Sequence, residues 1–193
     1  ILSFSPNASG QDFGLSFVSS EAVQDERTGL DLSPSNTLCF ESNFQLSFDI
    51  SFEPDQVEYF GYIFRLIDER NQNLDLISNL SSPIGEHFNI VTQGNSKPHS
   101  FNLEKTGVFR KWNKFTFDFN FEKQEVTYSI LGVKKVQSVP FEKNSCFKIL
   151  FGSNDYPKFK TTDVPPMNIR NIEIHEGMQL KNKWLLDEHF GII

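Results

Sequence analysis

The stretch Phe44-Gln45-Leu46-Ser47-Phe48-Asp49-Ile50-Ser51-Phe52 decides the fold. Every even-numbered residue in it is apolar and every odd-numbered one polar, so one face of a strand is buried and the other meets solvent or ligand. Phe115-Thr116-Phe117-Asp118-Phe119-Asn120-Phe121 repeats the pattern, and the alternation resumes after Glu122-Lys123-Gln124 in Glu125 to Ile130. That spacing predicts a hairpin. Outward from these runs, strands are expected at Gly61 to Ile67, Asn73 to Ser78, His87 to Thr92, Ser100 to Leu103, Val133 to Phe141, Cys146 to Phe151 and Ile169 to His175. Gly61 to Ile67 is apolar on both faces, as a covered central strand would be. Turn residues separate the runs: Glu53-Pro54-Asp55, Asn71-Gln72-Asn73, Ser82-Pro83, Gly94-Asn95-Ser96, Lys143-Asn144-Ser145 and Asn154-Asp155-Tyr156-Pro157. Many short strands without a helical period predict an all-β, two-sheet antiparallel jelly-roll sandwich. Phe48, Phe117 and Phe119 carry the apolar parity and are its expected core.

A length of 193 residues predicts one domain, and 21 Phe against 2 Trp and 2 Met favour half-buried strands. No run approaches the roughly 20 apolar residues of a spanning helix, so membrane insertion is not expected. A net charge of −7 argues against a nucleic-acid partner. Arg110-Lys111 and Lys134-Lys135 read as solvated edge positions. Cys39 and Cys146 each sit in an apolar stretch, which predicts two buried thiols in preference to a bridge. The chain starts at Ile1 with no charged-then-apolar leader, which is expected of a processed, exported protein: secreted, cell-surface or periplasmic. Alternation stops at Met178, so residues 1–177 are expected to form the sandwich. Residues 178–193 read as a tail or a junction to a further module, with one short helix at most.

Trp112-Asn113-Lys114-Phe115-Thr116-Phe117-Asp118-Phe119, followed by Val126 to Val136 with Gly132 inside it, resembles the laminin-G-like branch of the concanavalin A-like lectin/glucanase superfamily. There a Trp opens one strand, a hairpin follows, and a Gly ends the return strand. Arg27-Thr28-Gly29-Leu30-Asp31-Leu32 looks like that family's opening segment and Met167 to Ile174 like its closing strand. The likeness covers about residues 27–177, with an outer strand added from residues 1–20. It implies the same sandwich, of an exported bacterial type often joined to another module. The motifs mark strand ends and a turn, so they speak to fold and not to chemistry.

Retaining glucanases of the superfamily carry Glu-x-Asp-x-(x)-Glu along one strand. Here Asp118-Phe119-Asn120-Phe121-Glu122 has Asp first, Asn in the middle and Glu122 at a turn. Strand positions four apart lie roughly 13 Å from each other, against the ~5 to 5.5 Å that double displacement requires. A solvated strand face is therefore expected, and no catalytic residue is assigned. His87, His99, His175 and His189 lack zinc spacing, and no Gly-x-Ser-x-Gly elbow occurs. No metal or other cofactor is assigned. Calcium is the alternative, with Asn154-Asp155 and Thr161-Thr162-Asp163 as its oxygen donors, set against ordinary turn chemistry. Sugar binding needs exposed flat aromatics beside polar groups. Trp112 reads as an edge plug and Tyr62 as core, which leaves Tyr59, Asn154, Asp155 and Tyr156 as the candidate ligand residues. The function expected is a non-catalytic glycan-binding or accessory module that takes a poly- or oligosaccharide and works with a fused or partner module. A glycoside hydrolase of the same fold, or a protein-interaction module without sugar affinity, are the alternatives.

Overall fold

The structure is a computed structural model that describes residues 13–19, 21–93, 95–100, 107–109 and 111–186. One sheet places β1 (Leu15–Phe17) beside β13 (Met167–Glu176), then β4 (Phe44–Phe52), β9 (Asn113–Asn120), β10 (Glu125–Ile130) and β11 (Val133–Ser138), with β14 (Gln179–Trp184) also on β13. The second runs β2 (Gly29–Asp31), β12 (Cys146–Gly152), β5 (Phe60–Asp68), β6 (Asn73–Asn79), β7 (Phe88–Thr92) and β8 (Asn95–His99), with β3 (Leu38–Cys39) also on β12. All strand pairs are antiparallel. Among the described residues the helical content is one 3-10 turn, Gln24–Glu26. None of their helices is long and apolar enough to cross a membrane.

The alternating faces meet as expected. Phe48, Phe117 and Phe119 are buried, and Phe48 of β4 packs edge-on against Phe64 of β5 and Phe151 of β12, with ring centroids 5.8 and 5.2 Å away. Phe64 also meets Phe117 edge-on at 4.7 Å, so phenyl rings from both sheets lock the layers together.

Several expectations need correction. Residues 179–184 are strand and not a helical tail, because β14 pairs along β13 from Ile172↔Trp184 to Glu176↔Gln179, and 187–193 lie outside the described residues. The strand following β7 is Asn95–His99, entered through the Thr92↔Asn95 pair, so Asn95 and Ser96 are strand where a turn was expected. Ser100 lies outside that strand, and 101–103 lie outside the described residues, as does Arg110. Cys39 and Cys146 are not free thiols. They face each other across β3 and β12 and form a disulfide, with Cys39 exposed. Cross-linking residues this far apart restricts the unfolded chain, so reduction is expected to lower stability by about 2–4 kcal/mol. The denaturant midpoint with and without reductant checks this, and an unchanged midpoint rejects it.

Lys135 is not a purely solvated edge lysine either. At one margin of the sandwich β11 turns polar groups inward toward β7 and β8. Gln137 Nε2 donates to Thr92 Oγ1 at 2.9 Å, Lys135 Nζ lies 2.7 Å from His99 Nδ1, and His99 Nε2 lies 2.6 Å from the Tyr128 hydroxyl. An ammonium only donates, so Nδ1 accepts and the ring proton is assigned to Nε2. Burial, then the charges of Lys135 and Lys97, lower the His99 pKa from 6.5 to about 4, while burial pushes the Tyr128 phenol up to about 12. A depressed histidine leaves stability intact above pH 6.5 and erodes it as pH falls from there to about 4, where the loss levels off at about 3 kcal/mol. The stability difference between the wild type and His99→Gln should shrink across that interval. A difference constant from pH 7 to pH 4 would contradict the assignment.

Candidate functional site

The site grows out of a close approach between β2 and β12. Gly29 pairs with Gly152, and a Cβ on Gly29 would collide with the Ser153 carbonyl. Gly152 has φ 64°, and a Cβ there would lie 2.6 Å from the Thr28 carbonyl oxygen. These two glycines let the 153–162 loop fold down beside the 24–31 segment. Between them opens a cleft of about 730 Å³. Asp25, Arg27 and Asp31 line it from the first segment, and Asn154, Asp155, Tyr156 and Lys160 from the second. Leu150 of β12 adds an apolar patch.

The loop is held from within and from beneath. Asn154 and Thr161 exchange backbone hydrogen bonds at 2.9 and 3.0 Å, and Asn154 Oδ1 accepts from the Tyr156 amide at 3.1 Å. Thr161 Oγ1 accepts from the Asp163 amide at 3.1 Å. The two stretches considered as calcium donors thus bond their own backbone and each other, the turn chemistry set against calcium. Below the loop, on the outer face of the second sheet, Arg65 donates from Nε and Nη2 to both oxygens of Asp75 at 2.7 and 2.8 Å. Its Nη1 donates to the Phe159 carbonyl. The guanidinium carbon lies 4.3 Å from the Tyr62 ring centroid and 5.3 Å from that of Phe159. Asn73 Nδ2 donates to Asp75 as well.

Three of the four candidate ligand residues, Asn154, Asp155 and Tyr156, come together at this cleft. Tyr59 does not. It is 7% exposed, its hydroxyl donates to the Glu53 carbonyl at 2.9 Å and accepts from the Gln56 amide at 3.1 Å, and no flat face is left for a sugar. Tyr62 is also corrected, since it is half-buried on the outer face under Arg65 and not in the core. Trp112, just before β9, has the Arg170 guanidinium 4.1 Å above its ring. Asp118 lies in β9 and takes a hydrogen bond from Gln45, while Glu122 is exposed in the following turn. Among the described residues no three His, Cys, Asp or Glu side chains group as metal ligands would.

Sequence reasoning missed Arg27, Arg65 and Asp75. Arg27 Nη1 donates to the Thr162 carbonyl at 2.8 Å and ties the two sides of the cleft together. A charge in the middle of the otherwise apolar Gly61 to Ile67 run was the available signal for Arg65.

No protein-family model matches the chain, and no curated protein matches its sequence. Solved structures do share its architecture. Tailspike protein 2 of the Escherichia coli O157:H7 bacteriophage CAB120 aligns with 90% of this chain and 26% of its own, at TM-score 0.56 and 13% identity. The extracellular region of zebrafish Gpr126/Adgrg6 aligns with 85% of this chain and 21% of its own, at 0.52 and 11%. Alginate lyase PA1167 from Pseudomonas aeruginosa aligns with 78% of this chain and 74% of its own, at 0.51 and 10%. The fold is an all-β, two-sheet antiparallel jelly-roll sandwich. At such identities the likeness is one of fold alone. The chain spans about a quarter or less of the first two proteins.

Proposed function

We propose that this chain is a non-catalytic glycan-binding module of an exported bacterial protein, and that the cleft between residues 24–31 and 153–162 is where an oligosaccharide binds. The observation that carries the reading is the pairing of a half-buried Tyr156 with hydrogen-bonding groups around one open cleft. A sugar ring offers C–H faces that stack on an aromatic and hydroxyls that both donate and accept. Asp25 and Asp155 accept, and Lys160 donates. The disulfide supports the placement outside the reducing cytosol: secreted, cell-surface or periplasmic. The bacterial type rests on the resemblance of the strand-end motifs.

The test is an oligosaccharide array followed by titration calorimetry on the best ligand. Tyr156→Ala is expected to weaken binding about fivefold to thirtyfold, the worth of roughly 1–2 kcal/mol of lost stacking and burial. Asp118→Ala and Glu122→Ala, on the other sheet, should leave affinity unchanged, and a chelator should too, because the proposal assigns no calcium. Unchanged affinity in Tyr156→Ala would move the site elsewhere. Polysaccharide hydrolysis that vanishes in Glu122→Gln would replace the module reading with the hydrolase.

A further inference from the structure

We infer that the cleft selects its glycan by charge and favours oligosaccharides bearing free amino groups over their acetylated or acidic counterparts. This rests on the glycan-binding reading above and goes further by naming the ligand's chemistry.

The charges around the cleft divide into those already neutralised and those still open. Asp31 is spent: its Oδ2 accepts from Lys148 Nζ at 2.9 Å and its Oδ1 from the Ser33 amide at 2.8 Å. Arg27 is spent too, on the Thr162 carbonyl at 2.8 Å and on Asp163, 3.9 Å away. Among the described residues, Asp25, Asp155 and Lys160 line the cleft, are exposed, and make no ion pair or side-chain hydrogen bond. The open groups therefore sum to one negative charge, supplied by two carboxylates on opposite sides of the cleft and opposed by one ammonium.

Such a cleft acts differently on three ligands of equal size. A uronate or sulfated sugar brings an anion to two carboxylates and can satisfy only Lys160. An N-acetylated sugar brings no charge and relies on stacking and hydroxyl bonds. A protonated hexosamine adds an ammonium whose hydrogens all donate, which suits two acceptor-only carboxylates. Exposed ion pairs are each worth about 0.2–1 kcal/mol, so two of them correspond to roughly a twofold to thirtyfold preference at low salt. The preference should decline as salt screens the pairs.

The experiment is calorimetry at about pH 6, where amines hold their protons, with oligomers of β-1,4-linked glucosamine, of N-acetylglucosamine and of galacturonate of equal length. The glucosamine oligomer is expected to bind about twofold to thirtyfold more tightly than the acetylated one, with the galacturonate oligomer weakest. Asp25→Asn and Asp155→Asn should each narrow the margin between the amino and acetylated oligomers, and Lys160→Gln should widen it. The chain's net charge of −7 would attract a polycation without any site, so Glu122→Gln, at an exposed carboxylate in the turn that follows β9 of the other sheet, serves as the control and should leave the margin intact. Equal binding of the amino and acetylated oligomers overturns this inference and leaves the glycan-binding reading standing. A margin that Glu122→Gln reduces as much as Asp155→Asn overturns it as well. Failure of every oligomer, together with a blank array, overturns both.

Discussion

Phe48→Ala is expected to cost about 3–5 kcal/mol, a large part of the roughly 5–15 kcal/mol by which a domain of this kind is stable. The ring is fully buried, and its neighbours come from both sheets: Phe115 and Phe117 on β9, Phe64 on β5, Phe151 on β12. Each neighbour is itself a phenyl ring on a strand whose position is fixed by a hydrogen-bonded ladder. The walls of the cavity left by truncation therefore cannot close, and the cavity term adds to the lost transfer energy. Phe48→Leu keeps most of the volume and should cost only about 1 kcal/mol. Guanidinium unfolding of both variants checks the pair. A loss below about 1 kcal/mol for the alanine variant would mean that the inner and outer faces of β4 had been exchanged.

The same alternation explains how much of the molecule can be read without coordinates. β4 runs over Phe44–Phe52 and β10 over Glu125–Ile130, as the pattern indicates, because a strand with one wet and one dry face writes its period into its residues. β14 leaves no such trace. It is an edge strand with most residues exposed, so neither parity has to be apolar. The disulfide escaped for a different reason: Cys39 and Cys146 meet through the register of β3 on β12, and a pairing between distant segments is set by the whole sheet order and not by either local stretch. Tyr59 opens a strand-like run with an aromatic, yet the preceding loop turns at Asp55, with φ 60°, and returns its backbone to the phenol hydroxyl. Asn154, Asp155 and Tyr156 were legible because polar and aromatic residues in a loop have no core to enter. Their partners across the cleft were not, since Asp25 lies in a short polar turn and the motif that begins at Arg27 marks a strand and not a ligand site.

Arg65→Ala is expected to be as damaging as any core truncation, and for an electrostatic reason. Arg65 is 6% exposed and Asp75 3%, so the pair carries its charges on the outer face of the second sheet yet out of contact with water. Burial works against the Arg65 charge, and the hydrogen bonds and charge of Asp75 outweigh it, leaving the guanidinium pKa above its ordinary value. Removal of one partner strands the other, which costs about 3–5 kcal/mol. Asp75→Ala should do the same from the other side. Replacement of both by apolar residues of similar volume, Arg65→Met with Asp75→Leu, should instead recover most of that loss, because neither charge is then left unpaired. Stability and binding should separate in this double variant. It lacks the guanidinium that donates to the Phe159 carbonyl and lies between the Tyr62 and Phe159 rings, so the loop carrying Tyr156 loses its anchor from below. Glycan affinity should therefore stay several-fold weaker than in the wild type even where the denaturant midpoint has returned, since a looser loop must be ordered at the cost of binding energy. A double variant that regains full affinity along with its stability would show that the pair holds the sheet together and does not position the loop.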